Sequence, residues 1–197
     1  MTTGKILFAK SDGTYILKLV GEVRLTLCAS LEKMLSKPDF TSVIIDLTDT
    51  DTIDSTSLGL LAKLSIQTKK NLGLVPVIIS TKDDITRILL SMGFDRVFVI
   101  VRELEGYEKL NLNLNMHDIA CDGNLEQSSQ ARKVLDAHKV LMSLSEENRE
   151  TFSGLVKQLE QIQTNGPDED KNQDENKHRD KNKNQDDEDE QEDKNRS

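Results

Sequence analysis

Tryptophan is absent from the 197 residues, and Phe and Tyr bring the aromatic share to only 4%. A chain so poor in flat rings offers little for stacking on single-stranded nucleic acid. Cysteine is also scarce. Cys28 and Cys121 are too few for a disulfide framework and stand at no zinc-type spacing. Cys28 lies in an apolar stretch and reads as a small core residue. No apolar run reaches the length of a membrane span, and residues 1–10 lack the long apolar core of a secretory signal. A cytoplasmic location, with no direct membrane insertion, is the default expectation. Positive charge is in deficit: the formal net charge is −9 and the pI about 4.9. Nucleic acid and anionic membrane surfaces both require a basic face, so neither is expected as the main ligand.

The acidity is unevenly spread. Residues 164–197 hold 13 Asp or Glu and 7 Lys or Arg, which leaves −6 on this segment alone. They contain no Ala, Val, Ile, Leu, Met, Phe, Tyr, Trp or Cys. Such a segment buries nothing that would offset the entropy of ordering it, so it is expected to stay disordered. The folded part then ends near Gln163, and the tail reads as a solubilising spacer.

What is present is a regular alternation of elements. Ile6–Ala9 is a short apolar run, Asp12-Gly13 is a hairpin signal, and Tyr15, Leu17 and Leu19 alternate beyond it, so residues 5–20 predict two antiparallel strands. Leu27, Leu31, Met34 and Leu35 stand at helical spacing and predict a helix over 25–36, closed by Pro38. Val43-Ile44-Ile45 predicts a buried strand over 42–47, followed by a polar loop over 48–54. A helix over 56–70 turns Leu60, Leu61, Leu64 and Thr68 inward, with Gly73 in the usual position after a helix. Residues 75–80 predict another buried strand. Thr81 is the expected cap of a helix over 82–92, with Ile85, Ile88 and Leu89 inward. Residues 97–101 predict the last strand. Strands separated by helices pair in parallel through right-handed crossovers.

Beyond Arg102 the pattern weakens. Leu110, Leu112, Leu114 and Met116 alternate with Asn, as in an edge strand or an extended linker. Two amphipathic helices follow. One spans about 125–142, with Ala131, Val134, Leu135, His138, Leu141 and Met142 on its stripe. The other spans about 146–163, with Phe152, Leu155, Val156, Leu159 and Ile162, and Ser145 is a candidate cap between them. Their stripes must bury against the main domain, a second copy or a partner.

The sharpest local feature is Asp54-Ser55-Thr56-Ser57-Leu58-Gly59, at the start of a helix. Ser, Thr and Asp at that position satisfy the free amides of a first turn, and capping alone would account for them. The wider region says more. Gly21-Glu22-Val23, Val43-Ile44-Ile45-Asp46-Leu47, Ile53-Asp54-Ser55, Leu58-Gly59 and Met92-Gly93-Phe94, in this order, resemble the STAS domains of bacterial anti-sigma-factor antagonists. The resemblance covers residues 5–101. It implies an α/β fold: a mixed four- to five-stranded sheet with helices mainly on one face, here extended by a C-terminal helical hairpin and the disordered tail. It divides the chain into a STAS domain over 1–105, a linker or edge extension over 106–124, a two-helix extension over 125–163 and the acidic tail over 164–197.

The resemblance also implies a non-enzymatic partner switch without a cofactor, in which the serine after the aspartate is phosphorylated. That serine is Ser55. The family's usual Asp-Ser-Ser-Gly form is altered here to Asp54-Ser55-Thr56-Ser57, which leaves Thr56 and Ser57 as rival acceptors. The partner-binding segment is Asp54, Ser55, Thr56, Ser57, Leu58 and Gly59. The implied partners are an anti-sigma factor, often itself the serine kinase, and a metal-dependent serine phosphatase. Asp46, Asp49, Asp51 and Asp54 suggest an acidic surface for a basic partner, or merely a solvated turn.

Other functions fit less well. Phosphoryl-transferring aspartate enzymes carry a second Asp two residues after the first, and Thr48 stands there after Asp46. A calcium loop from Asp49 would need Gly and Glu where Asp54 and Leu60 stand. His117, His138 and His178 have no metal-ligand neighbour at useful spacing, and His138 reads as a packed or boundary residue. The alternative within the family is an accessory subunit of a membrane lipid or anion transporter.

Overall fold

The structure is a computed structural model that describes residues 4–25, 40–107, 115–118 and 127–164. The helix expected over 25–36, both cysteines, Leu110, Leu112, Leu114, His178 and residues 165–197 fall outside the described residues, apart from Leu25 itself. The described residues up to Glu160 belong to one compact unit.

The N-terminal hairpin comprises β1 (Lys5–Ser11) and β2 (Thr14–Val23), antiparallel from Lys5↔Val20 to Ser11↔Thr14. Asp12 (φ 48°) and Gly13 (φ 77°) take the left-handed conformations a tight two-residue turn demands. Strands β3 (Ser42–Asp46), β5 (Val77–Ile79) and β6 (Val99–Val101) add in parallel, β3 beside β2, β5 beside β3 and β6 beside β5. The sheet order is thus β6-β5-β3-β2-β1, with the short strand β7 (His117–Asp118) beyond β1.

These five principal strands are the ones the sequence predicts, and the mixed sheet is as expected. Two short strands extend it. β4 (Thr50–Ile53) lies in the segment expected to be a loop and pairs in parallel with the end of β2, past a bulge at Gly21/Glu22. Its Thr50 is fully buried and donates its hydroxyl to the Leu19 carbonyl at 2.8 Å. Polar but β-branched residues satisfy a strand wherever their hydroxyls find a partner. β7 (His117–Asp118) pairs with β1 as an edge.

The helices are α1 (Ser55–Leu72), α2 (Asp83–Ser91), α3 (Gln127–Leu144) and α4 (Glu146–Thr164). Gly73 closes α1 in a left-handed conformation (φ 69°), as its position predicts. α2 starts differently from expectation. Lys82, not Thr81, is its first flanking residue, and no side chain caps it; Asp83 and Asp84 sit in the first turn instead, where the helix dipole favours them. Ile88 is partly exposed, while Ile85 and Leu89 are buried. A 3₁₀ turn (Phe94–Arg96) delays the last strand to Val99.

Strand alternation sorts the core into two layers. Tyr15, Leu17 and Leu19 of β2 and Val43 and Ile45 of β3 join Leu58, Leu61, Ile85, Leu89 and Phe94 on the helix-covered face. Ile16, Ile44 and Ile79 face the other way, against Tyr107, Leu104 and Met116. The helical hairpin α3–α4 joins the first layer through Ala137, Leu141, Leu144 and Phe152. It therefore buries its stripe on its own sheet domain. Leu155 and Ile162, read as stripe residues, are instead 38% and 63% exposed. α4 turns Asn148, Phe152 and Val156 inward, one helical face at i, i+4 spacing, and that face excludes both.

Candidate functional site

The Asp54–Gly59 segment stands where β4 passes into α1. Asp54 is the helix cap: its Oδ1 accepts from the Ser57 amide at 2.7 Å. Its Oδ2 accepts from the Leu25 amide at 3.2 Å, which ties the end of β2 to the same carboxylate. The two backbone amides fix the start of α1, so Ser55 is the first helical residue without having to cap it. No acidic side chain lies in the first turn of α1. The free amides and the helix dipole therefore remain favourable to an anion on Ser55.

The three hydroxyls differ in access. Ser55 is half-buried, whereas Thr56 is 8% and Ser57 0% exposed. The Ser57 hydroxyl has no hydrogen-bond partner. Leu58 is core, and Gly59 is closed over by α3. A Cβ at Gly59 would come within 2.7 Å of the Ala137 Cβ and closer still to the Ala137 carbonyl. Only glycine lets the two helices approach so closely.

Ser55 also meets α3. Its Oγ lies 3.0 Å from His138 Nε2, across 83 residues of sequence. His138 Nδ1 lies 2.8 Å from the Val134 carbonyl oxygen, which can only accept. In the tautomer this contact selects, Nδ1 carries the hydrogen, Nε2 accepts and the Ser55 hydroxyl donates. The ring is 2% exposed and stands edge-on to Phe152, with centroids 5.0 Å apart. His138 is packed, as its place on an apolar stripe predicts. Its partnership with Ser55 is the feature that sequence reasoning missed.

Further contacts hold the hairpin down. Asn148 Nδ2 donates to the Met92 carbonyl at 3.0 Å and to the Leu141 carbonyl at 2.9 Å, and Arg96 donates to the Leu144 carbonyl. Ser145 caps α4 by accepting from the Asn148 amide at 3.1 Å, as expected.

The expected acidic surface is largely neutralised within the chain. Asp46 is 1% exposed and lies on the opposite sheet face. Its Oδ1 accepts from the Thr48 amide at 2.8 Å, and its Oδ2 from Tyr107 at 2.8 Å and Lys18 at 3.1 Å. Burial favours the neutral acid, but the hydrogen bonds from Thr48 and Tyr107 and the Lys18 charge outweigh it and hold the carboxyl below its ordinary range. Burial also opposes the Lys18 charge, yet Asp49 and Asp46 raise its pKa. Burial and Asp46 together push Tyr107 far up. Asp49 pairs with Lys18 at 2.7 Å and Asp51 with Lys82 at 2.9 Å. A cleft of about 920 Å³ opens beside Asp46 and Tyr107, but the carboxylate in it is already committed. Among the described residues no group of three His, Cys, Asp or Glu side chains is placed to hold a metal ion, and no helix is long and apolar enough to cross a membrane.

The model of the STAS domain matches residues 5–109 of this chain. The chain belongs to the STAS family. Three solved structures are similar to this STAS chain. An anti-sigma factor antagonist from Mycobacterium paratuberculosis is 19% identical over 55% of this chain and 93% of its own, with a TM-score of 0.45. The anti-sigma factor antagonist SpoIIAA in its unphosphorylated form is 13% identical over 54% and 94%, with a TM-score of 0.42. An uncharacterised protein with a SpoIIAA-like fold from Shewanella loihica is 14% identical over 57% and 96%, with a TM-score of 0.40. No curated protein matches the chain. The family match stops before α3, so the hairpin lies outside the STAS model.

Proposed function

We propose that this STAS protein is an anti-sigma factor antagonist, a non-enzymatic cytoplasmic switch in bacterial transcription control that binds its partner while Ser55 is unphosphorylated. The observation that carries this reading is the place of Ser55: first residue of α1, directly after the capping Asp54. A phosphate there adds about −1.5 to −2 charge and suits the helix start, so α1 tolerates it. A docked partner surface does not, because it meets new bulk and a charge that must be desolvated. Thr56 and Ser57 are poorer acceptors, being buried where Ser55 is not.

A hydroxyl 3.0 Å from an oriented imidazole is also the geometry of an activated nucleophile. His138 Nδ1 is held by the Val134 carbonyl and not by a carboxylate, so no acidic group stands ready to stabilise the imidazolium that catalysis would form, and the binding switch is the better reading.

The partner is an anti-sigma factor with serine kinase activity, opposed by a metal-dependent serine phosphatase. Ser55→Ala abolishes phosphorylation and retains binding; it costs about 1 kcal/mol for the lost hydrogen bond to His138, since Asp54 remains the cap. Ser55→Glu weakens binding in part. The test is to measure partner binding by wild type, both variants and the phosphorylated protein. Equal binding by all four would sink the switch. Recovery of a membrane transporter in place of an anti-sigma factor would point to an accessory subunit of lipid or anion transport.

A further inference from the structure

The hairpin meets the STAS domain on the face that carries Ser55. Gly59 admits the Ala137 backbone, Ser55 donates to His138, and Phe152 backs the imidazole. Asn148 and Arg96 anchor the far end of α3 to the turn after α2. The contact is close-fitting and depends on a small residue and a hydroxyl hydrogen, so it has no slack for an inserted group.

We infer that the α3–α4 hairpin is a displaceable intrachain cover of the Ser55 face, expelled by any group placed on Ser55. This rests on the reading of Ser55 as the acceptor. In phosphorylation the Ser55 oxygen attacks the γ-phosphorus of a nucleoside triphosphate. An O–P bond forms, the bond to the diphosphate breaks, and the hydroxyl proton passes to the kinase's base. The Ser55 ester oxygen then has no hydrogen to donate. In the tautomer that the Val134 carbonyl selects, this oxygen faces the Nε2 lone pair, an acceptor against an acceptor. A phosphoryl group on an oxygen that lies 3.0 Å from this enclosed ring also crowds it. A partner docking on Ser55 meets the same obstacle and must displace the hairpin first. The cover thus lowers affinity for the partner, in proportion to the time it spends closed.

The test uses the full chain with phosphoserine installed at position 55 during synthesis, and hydrogen exchange read peptide by peptide. Ala137→Leu, which wedges α3 off Gly59 while leaving every residue of the Asp54–Gly59 segment unsubstituted, marks the exchange of a released hairpin. The expected result is protection across 127–160 in the unmodified chain. With phosphoserine, exchange there rises by about tenfold or more, equivalent to about 1.4 kcal/mol, while β2, β3 and β5 stay unchanged. Unchanged or slower exchange with phosphoserine, as from a phosphate clamped by His138, would overturn the cover. So would an unmodified chain that already exchanges like Ala137→Leu. The readout needs no partner. Release by phosphoserine combined with equal partner binding by every Ser55 form would therefore sink the functional reading and leave the cover standing.

Discussion

Single atoms decide much of this molecule's behaviour. Asp54 spends both carboxylate oxygens on backbone amides, one in α1 and one at Leu25, and so frees the next residue from capping. Ser55 is then available for a different bond, and His138 takes it. On the other sheet face Asp46, Lys18 and Tyr107 form a buried charged group whose pH behaviour has a definite sign. Asp46 is held below its ordinary 3.8, so its stabilisation is present above that pH and is lost as the pH falls through the lowered value. Lys18 is held above 10.5 and Tyr107 above 10.0, so their contributions are complete at neutral pH and fade as the solution becomes more alkaline than those values. Denaturant titrations across pH are expected to give a plateau from about 5 to 9 with falls on both sides. In Asp46→Asn the acid-side fall shrinks; an unaltered acid limb would show that other carboxylates govern it.

Among the elements, α1 is unusual in being buried nearly all round. Leu58, Leu61 and Leu64 face the sheet layer, and Gly59 faces α3. Glycine in a helix interior ordinarily costs about 1 kcal/mol relative to alanine, so Gly59→Ala would stabilise an exposed helix. Here the sign reverses. The added methyl runs into the Ala137 backbone, which cannot rotate away as a flexible side chain would. We expect Gly59→Ala to lower overall stability by about 1–3 kcal/mol, the usual range for overpacking, and to loosen α3 more than the sheet. Chemical denaturation and hydrogen exchange of the variant check both statements; a more stable variant would mean that α3 lies farther from α1.

At the scale of the whole molecule, a family domain is joined to a helical extension that completes its core. Ala137, Leu141, Leu144 and Phe152 share one hydrophobic layer with Leu58, Ile85 and Phe94. Up to Glu160 the hairpin is thus part of that one compact unit. The tail stands in contrast by composition. Residues 165–197 contain no Ala, Val, Ile, Leu, Met, Phe, Tyr, Trp or Cys, so their removal is expected to leave Tm within about 2 °C. A larger drop in thermal unfolding would show stabilising contacts made by charge alone.

Periodicity and turn chemistry determined the five principal strands, α1, α2 and the extents of α3 and α4, because those signals are local. Alternation in Tyr15–Leu19, the apolar run at Val43–Ile45 and the glycines after helices each act within a few residues. The Asp54-Ser55 step at a helix start was likewise legible. Local signals mislead where a polar residue finds a distant partner, and Thr50 makes a strand of an expected loop by bonding to Leu19. The Asp46 side chain, expected at the surface, is drawn inside by Lys18 and Tyr107, which lie 28 and 61 residues away. Only the tertiary structure decided which surface the hairpin covers. That choice rests on a glycine and an alanine meeting across two helices and on one hydroxyl reaching one imidazole, and neither leaves a trace in hydrophobic pattern.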